Sequence, residues 1–417
     1  MAFTLLFVAF LTAGVVLRLW LATRQIRHVA LHRDQVPAVF AERIRLRSHQ
    51  RAADYTIQRT RLGMLETVFD AMVLVALTLL GGLQVLSVWS QGLPVSPLVQ
   101  QMFLVTSVVV LLGVLGLPFA WYRQFHLEER FGFNRMTRKL FLADLLKSSL
   151  LAAVLGLPLL AVVLWLMQRT GAYWWIWAWA VWAVFNLAVI WLFPTVIAPL
   201  FNKFTPLADE ALAARIRALA ERCGFSLNGL FVMDGSKRSA HGNAYFTGFG
   251  RAKRIVFFDT LLSRLNADEI EAVLAHELGH FKHRHILRRI VMSLAASFVF
   301  LAVLGWLVNR SWFYTGLGVE PNLLGPNHGV ALVLFFLVAP VFTFPLTPLA
   351  SWLSRRDEFQ ADEFAAQQTD PAKLVSALVK LYDDNAATLT PDPAHSAFYD
   401  SHPPAAVRIG RLTWSEA

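Results

Sequence analysis

The 417-residue sequence contains one cysteine, Cys223, which excludes an internal disulfide framework and any cysteine-rich metal site. Charge is scarce as well. Asp, Glu, Lys and Arg make up 16% of the chain, against about 25% in an ordinary soluble domain. No repeat or low-complexity stretch is present, so collagen-like and disordered classes drop out. Apolar residues fill the gap: 56% of the chain is hydrophobic, with 14 Trp, 32 Phe and a mean hydropathy of +0.50. That excess places much of the chain in lipid. Cys223 itself reads as a packed residue in a helix-to-strand connection.

Acidic residues are the scarcer sign, 28 against 38 basic, for a net charge of +10. Location decides what this means. Seven apolar stretches, near 2–22, 65–90, 101–122, 148–167, 173–198, 290–309 and 329–350, approach or exceed the roughly 20 residues that a bilayer helix needs. The connections 23–63, 123–147, 199–289 and 351–417 hold 35 Lys and Arg, and the alternate connections hold 2. Arg18 is left near the inner end of the first stretch, where it can snorkel. This alternation is the positive-inside pattern, so the basic charge orients a membrane protein and nucleic acid is not expected as a partner. The first stretch lacks a basic n-region and reads as an uncleaved helix with its N-terminus outside. The expected organisation is five membrane helices over 1–198, a cytoplasmic segment 199–289, two more helices over 290–350 and a cytoplasmic segment 351–417.

Within 199–289 the pattern becomes that of an α/β unit. Residues 207–222 carry apolar positions at helical spacing, and 229–233, 243–249 and 254–258 read as short strands. Asn266 with Glu269 forms a capping signal for a helix that runs into His276-Glu277-Leu278-Gly279-His280. On that helix His276 and His280 share a face and can hold one metal, with Glu277 beside a water it activates. Gly279 in mid-helix implies a close approach by another element. The longer metzincin pattern fails, because His283 and Ile286 stand where Gly and His are needed. His283 and His285 read as interfacial polar residues.

A third ligand is needed for a catalytic site. Glu358 and Asp362, four apart beyond the seventh stretch, share a helix face. They form either a solvated acidic face or a ligand with a carboxylate that orients a ligand histidine. Glu66 and Asp70, also four apart, are either an interfacial helix end or carboxylates turned toward protein or water.

These motifs together resemble the type I CAAX prenyl proteases, integral-membrane zinc peptidases that process a-factor-like precursors. HELGH, Ser354–Ala365, Ser401-His402-Pro403-Pro404 with Arg408, Glu128–Asn134, and Asp234–Ser239 leading into Asn243–Phe246 occur in the family's order. The heat-shock-induced bacterial membrane proteases share HExxH and the Glu–Asp pair but are shorter. The resemblance implies an α-helical multi-pass fold of seven transmembrane helices around a large water-filled chamber, with a cytoplasmic gluzincin-like α/β zinc domain. It implies one zinc per chain held by His276, His280 and Glu358, with Asp362 behind them and Glu277 as general acid–base. It offers His402 and Arg408 as oxyanion donors, although His402 beside two prolines also reads as a loop histidine. Asn243, Ala244, Tyr245 and Phe246 would be an edge strand to which a peptide adds.

Three functions follow as alternatives: a CAAX-type endopeptidase, a membrane quality-control protease with no prenyl requirement, and a transporter or scaffold with structural zinc. Glu277 argues against the third, since a structural site has four protein ligands and no spare base. The partners are then a peptide or protein substrate, prenylated or not, and membrane lipid. Compact loops and the lack of a retention signal lean toward a bacterial inner membrane over the endoplasmic reticulum, with the active site on the cytoplasmic side.

Overall fold

The computed structural model describes residues 1–247, 253–322 and 325–414. The N-terminal bundle consists of α1 (Ala2–Leu31), α2 (Leu46–Leu77), α3 (Gly82–Gln91), α4 (Pro97–Tyr122), α5 (Arg138–Arg169) and α6 (Trp174–Leu192). There follow β1 (Phe204–Pro206), α7 (Glu210–Arg222), β2 (Leu227–Met233), β3 (Ala244–Thr247), β4 (Lys253–Phe258), α8 (Asp259–Leu262) and α9 (Ala267–Lys282). The chain then returns to the bundle through α10 (His285–Leu307), α11 (Ser311–Thr315) and α12 (His328–Thr343). It ends in α13 (Thr347–Gln368), α14 (Pro371–Asp384), α15 (Pro393–Tyr399) and α16 (Ala405–Trp414).

Six described helices are long and apolar enough to cross a membrane, or seven spans if α2 and α3 count as one. The fold is that of a multi-pass membrane protein. Its helices present apolar side chains outward, such as Leu146, Leu150 and Val154 on one face of α5. Helix ends depart from the apolar runs. The expected second span, 65–90, is two helices bent by 49°. Gly81 sits at the break with φ +80, a backbone conformation that a side chain would strain. Upstream, α2 starts at Leu46 inside the basic connection, because a helix satisfies its own backbone in water as well as in lipid. The seventh run instead lies in one continuous span, His328–Gln368, which tightens to a 3-10 turn at Phe344–Leu346, where Pro345 and Pro348 remove amide donors. The strand expected over 243–249 is seen from Ala244 to Thr247, and its last two positions lie outside the described residues.

Among the described residues there are two large hydrophobic cores and a smaller one around Tyr55, Leu62, Leu127 and Phe133. Of the large ones, one lies in the bundle and contains Phe7, Leu83, Leu164, Leu304 and Phe313. The other lies in the roof, around Ile216, Leu219, Ile255, Phe257, Leu274 and the buried Cys223. The roof sheet has the order β1-β2-β4-β3, with β2 and β4 parallel and β3 antiparallel on β4. Strand β3 is therefore an edge. The two units are joined where the chain Glu128–Asn134 meets 234–240. Ala240 N–H donates to the Phe133 carbonyl at 3.1 Å, and the Arg238 guanidinium grips Asp144 at 2.8 and 3.0 Å. Between bundle and roof lies a cavity of about 1140 Å³, lined by α2 from below and by His241, Asn243 and His402 from above. It shares Arg18, Thr67 and Phe344 with a smaller, more apolar cavity of about 300 Å³ that Asp70 also lines.

Candidate metal centre

The α9 helix starts with a full capping box. The Asn266 side chain accepts from the Glu269 N–H at 3.0 Å, and the Glu269 carboxylate accepts from the Asn266 N–H at 2.8 Å. From that start, helical spacing puts His276 and His280 on one face. Helix α13 lies directly against α9. A Cβ on Gly279 would sit 2.9 Å from the Ala361 Cα and 3.1 Å from its carbonyl oxygen, so only glycine admits this approach. The crossing delivers Glu358 to the two histidines.

Donor atoms of His276, His280 and Glu358 all lie within 4.8 Å of one another. Glu358 Oε2 is 3.4 Å from His276 Nε2, and Glu358 Oε1 is 3.4 Å from His280 Nε2. Ligands at about 2.0–2.1 Å from a tetrahedral zinc stand about 3.3 Å apart, so the spacing fits. Buried Glu358 Oε2 also has no hydrogen-bond partner, as a carboxylate oxygen reserved for a cation would not. Two imidazoles and one carboxylate are a catalytic zinc set, with a fourth position left for water.

Behind each histidine stands a support. His276 Nδ1 donates to Asp362 Oδ1 at 2.8 Å, which leaves Nε2 as the ligand atom. Burial pushes His276 down, but Asp362 and Glu358 outweigh it and raise its pKa to about 9, so a metal must displace a proton there. Arg408, expected as an oxyanion donor, is buried and donates to Asp362 at 2.8 Å from Nε and 2.5 Å from Nη2. It braces that carboxylate from behind, while its Nη1 lies 3.9 Å from Glu358 Oε2, beside the metal cluster. On the other side His280 Nδ1 meets His285 Nδ1 at 3.0 Å, and His285 Nε2 meets Gln360 Oε1 at 2.9 Å. Neither His285 nor Gln360 stood out in the sequence, where His285 read as interfacial; in the fold it is 1% exposed.

Burial pushes the Glu277 carboxyl above its ordinary range, against the opposing pull of His276 and His280. His402 lines the large cavity, with Nε2 3.5 Å from Glu358 Oε1 and Nδ1 3.1 Å from the Ser401 hydroxyl. Its side chain is 61% exposed, yet protein surrounds it and burial lowers its pKa. The two observations agree if that exposed surface faces the cavity. Asn243 lines the same cavity at the start of β3, and Ala244 and Tyr245 pair with Phe257 and Val256 of β4. Phe246 is in the same strand, paired with Ile255. Beneath them, Tyr55 donates to Glu128 at 2.6 Å and Glu128 lies 3.6 Å from His241, tying the edge strand's approach to α2. Of the two carboxylates expected in the second span, Glu66 accepts from Arg123 at 2.6 and 2.7 Å.

Comparison with known proteins bears on this geometry. Residues 25–203 match the model described as CAAX prenyl protease N-terminal, five membrane helices, and residues 206–415 match peptidase family M48. The chain is 39% identical to CAAX prenyl protease 1 homolog of Arabidopsis thaliana, over 71% of this chain and 69% of that one. It is 37% identical to CAAX prenyl protease 1 of Saccharomyces cerevisiae, over 72% and 69%. With the Caenorhabditis elegans homolog the identity is 32%, over 98% and 97%. The crystal structure of S. mikatae Ste24p superposes with a TM-score of 0.91 at 30% identity, covering 99% of both chains. Members of this family are zinc-dependent, and the His–His–Glu cluster supplies the ligand chemistry that dependence requires. In sequence over both halves and in fold over its length, the chain belongs to peptidase family M48, as an integral-membrane zinc metallopeptidase.

Proposed function

We propose that the chain is a CAAX-type endopeptidase that cleaves near a prenylated C-terminus, with its active site on the cytoplasmic side. The reading is supported by a metal cluster next to His402, which lines a large cavity shared with the membrane bundle. A lipid-bearing peptide needs both a water-accessible cleavage site and an apolar recess beside it. The names of the relatives point the same way. The proposed division of labour gives membrane helices to 1–198 and 290–350, and the zinc domain to 199–289 and 351–417.

His276, His280 and Glu358 hold the metal, which when bound supplies Lewis acidity for the scissile carbonyl and an activated water. Glu277 takes a proton on its carboxylate and returns it to the leaving amine. Its raised pKa suits both halves of that task. With the Ser401 hydroxyl as donor to His402 Nδ1, 3.1 Å away, the imidazole proton would sit on Nε2 as a neutral donor for the developing oxyanion. The Asn243–Phe246 segment offers backbone groups at a sheet edge for an extended peptide. The cytoplasmic placement rests on the 35-to-2 distribution of basic residues, and compact loops favour a bacterial inner membrane.

Cleavage of a farnesylated peptide beside its unprenylated twin tests the reading. The farnesylated peptide should be cleaved with the higher kcat/KM. Equal cleavage of both would replace the proposal with a quality-control protease that has no prenyl requirement.

A further inference from the structure

We infer that the cavity between α13 and α16 binds the phosphate of an anionic phospholipid headgroup. One stripe of α13 runs through Leu349, Trp352, Arg356, Phe359 and Glu363 at helical spacing. Leu349 and Trp352 are 56% and 52% exposed, as apolar side chains that face lipid are. A tryptophan at the end of an apolar stripe marks the membrane–water boundary. Arg356, one turn further and about 6 Å along the axis, stands at headgroup level.

At that level the cavity opens, with a volume of about 780 Å³. Arg355, Arg356 and Arg411 line it. The acidic residues there are Glu363 and Asp362, and Asp362 is already neutralised by Arg408. The walls therefore carry excess positive charge. Arg411 is held 3.8 Å over the Phe359 ring, which fixes its guanidinium in advance of any ligand. A basic pocket between helices at the headgroup level takes a phosphate-bearing lipid. The same chemistry would accept free phosphate, but the Leu349–Trp352 stripe continues the cavity toward the acyl region, and this favours the lipid. Gln360 and Asp362, which support the metal histidines, line the cavity too, so the headgroup would rest against the back of the metal centre.

The test uses the full chain in detergent with equimolar phosphatidylglycerol and phosphatidylcholine, and retained lipid is counted by native mass spectrometry. Wild type should retain phosphatidylglycerol in preference. Arg356→Ala/Arg411→Ala should lose that preference by about 30-fold, at about five-fold per arginine. Arg45→Ala/Arg47→Ala, two exposed arginines before and at the start of α2, should retain it. Equal retention of phosphatidylglycerol by the Arg356/Arg411 variant and wild type would overturn the site. Loss of it in the Arg45/Arg47 control would do the same, by making the attraction generic. Displacement of the lipid by inorganic phosphate alone would overturn the lipid assignment.

Discussion

Glu277 and His285 do different work a few residues apart. Replacing Glu277 by Gln keeps its shape and removes the base. Zinc content should then survive while turnover falls by about 10²–10⁴-fold, as measured by metal analysis and peptide hydrolysis on one preparation. His285 acts through His280. Its Nδ1 must accept while Nε2 donates to Gln360, which leaves the His280 Nε2 lone pair for the metal. Chelator competition should show zinc held about 10–100-fold more weakly in His285→Leu. His285→Asn keeps an acceptor near that position and should fall between Leu and wild type. Equal loss in the two variants would mean His285 only fills space. The ligands were legible in the sequence because HELGH and Glu358 with Asp362 are local spacings on helices. His285 was not, because its contact depends on Arg284 adopting φ 56, a left-handed turn that nothing in the residue type announces. The contact of Arg408 with Asp362 was not legible either, because the two are 46 positions apart.

At the scale of elements, the crossing of α9 and α13 sets the metal geometry. Gly279→Ala gains about 1 kcal/mol in helix propensity, but its Cβ would strike the backbone of α13. Overpacking of this kind costs about 1–3 kcal/mol. The clash should win, lowering the melting temperature and loosening zinc. Gly410→Ala in α16 meets nothing within 4 Å and should raise the melting temperature. Capping and apolar periodicity made α9 readable from Asn266 onward. Helix ends in the bundle were less readable, since apolar runs report where lipid is and not where hydrogen bonding stops. The start of α2 at Leu46 and the break at Gly81 show this at opposite ends of one stretch.

For the whole molecule, orientation is the quantity to measure. After replacement of Cys223, cysteines at Gln91, Trp312 and Arg217 report the two faces. An impermeant thiol reagent on intact cells should label the positions 91 and 312, and position 217 only after lysis. Labelling of 217 from outside would reverse the chain and place the metal centre on the far side. The seven apolar runs and the charge alternation were readable from the order of residues alone. The roof-to-bundle joint was not. Contacts such as Arg238 with Asp144 and Tyr55 with Glu128 link residues 94 and 73 positions apart, on elements with no shared pattern.

The glycine crossing also acts as a gauge of ionic radius. The helices that carry the ligands already meet closely at Gly279 and Ala361, so little room is left for them to close around a smaller cation. A calcium ion, with bonds of about 2.3–2.6 Å, would have to wedge the helices apart against their packed faces. Thiolates, which would select a soft metal by affinity, are absent from the ligand cluster. The two imidazoles already disfavour a hard cation, and the close helix contact at Gly279 would add to that bias.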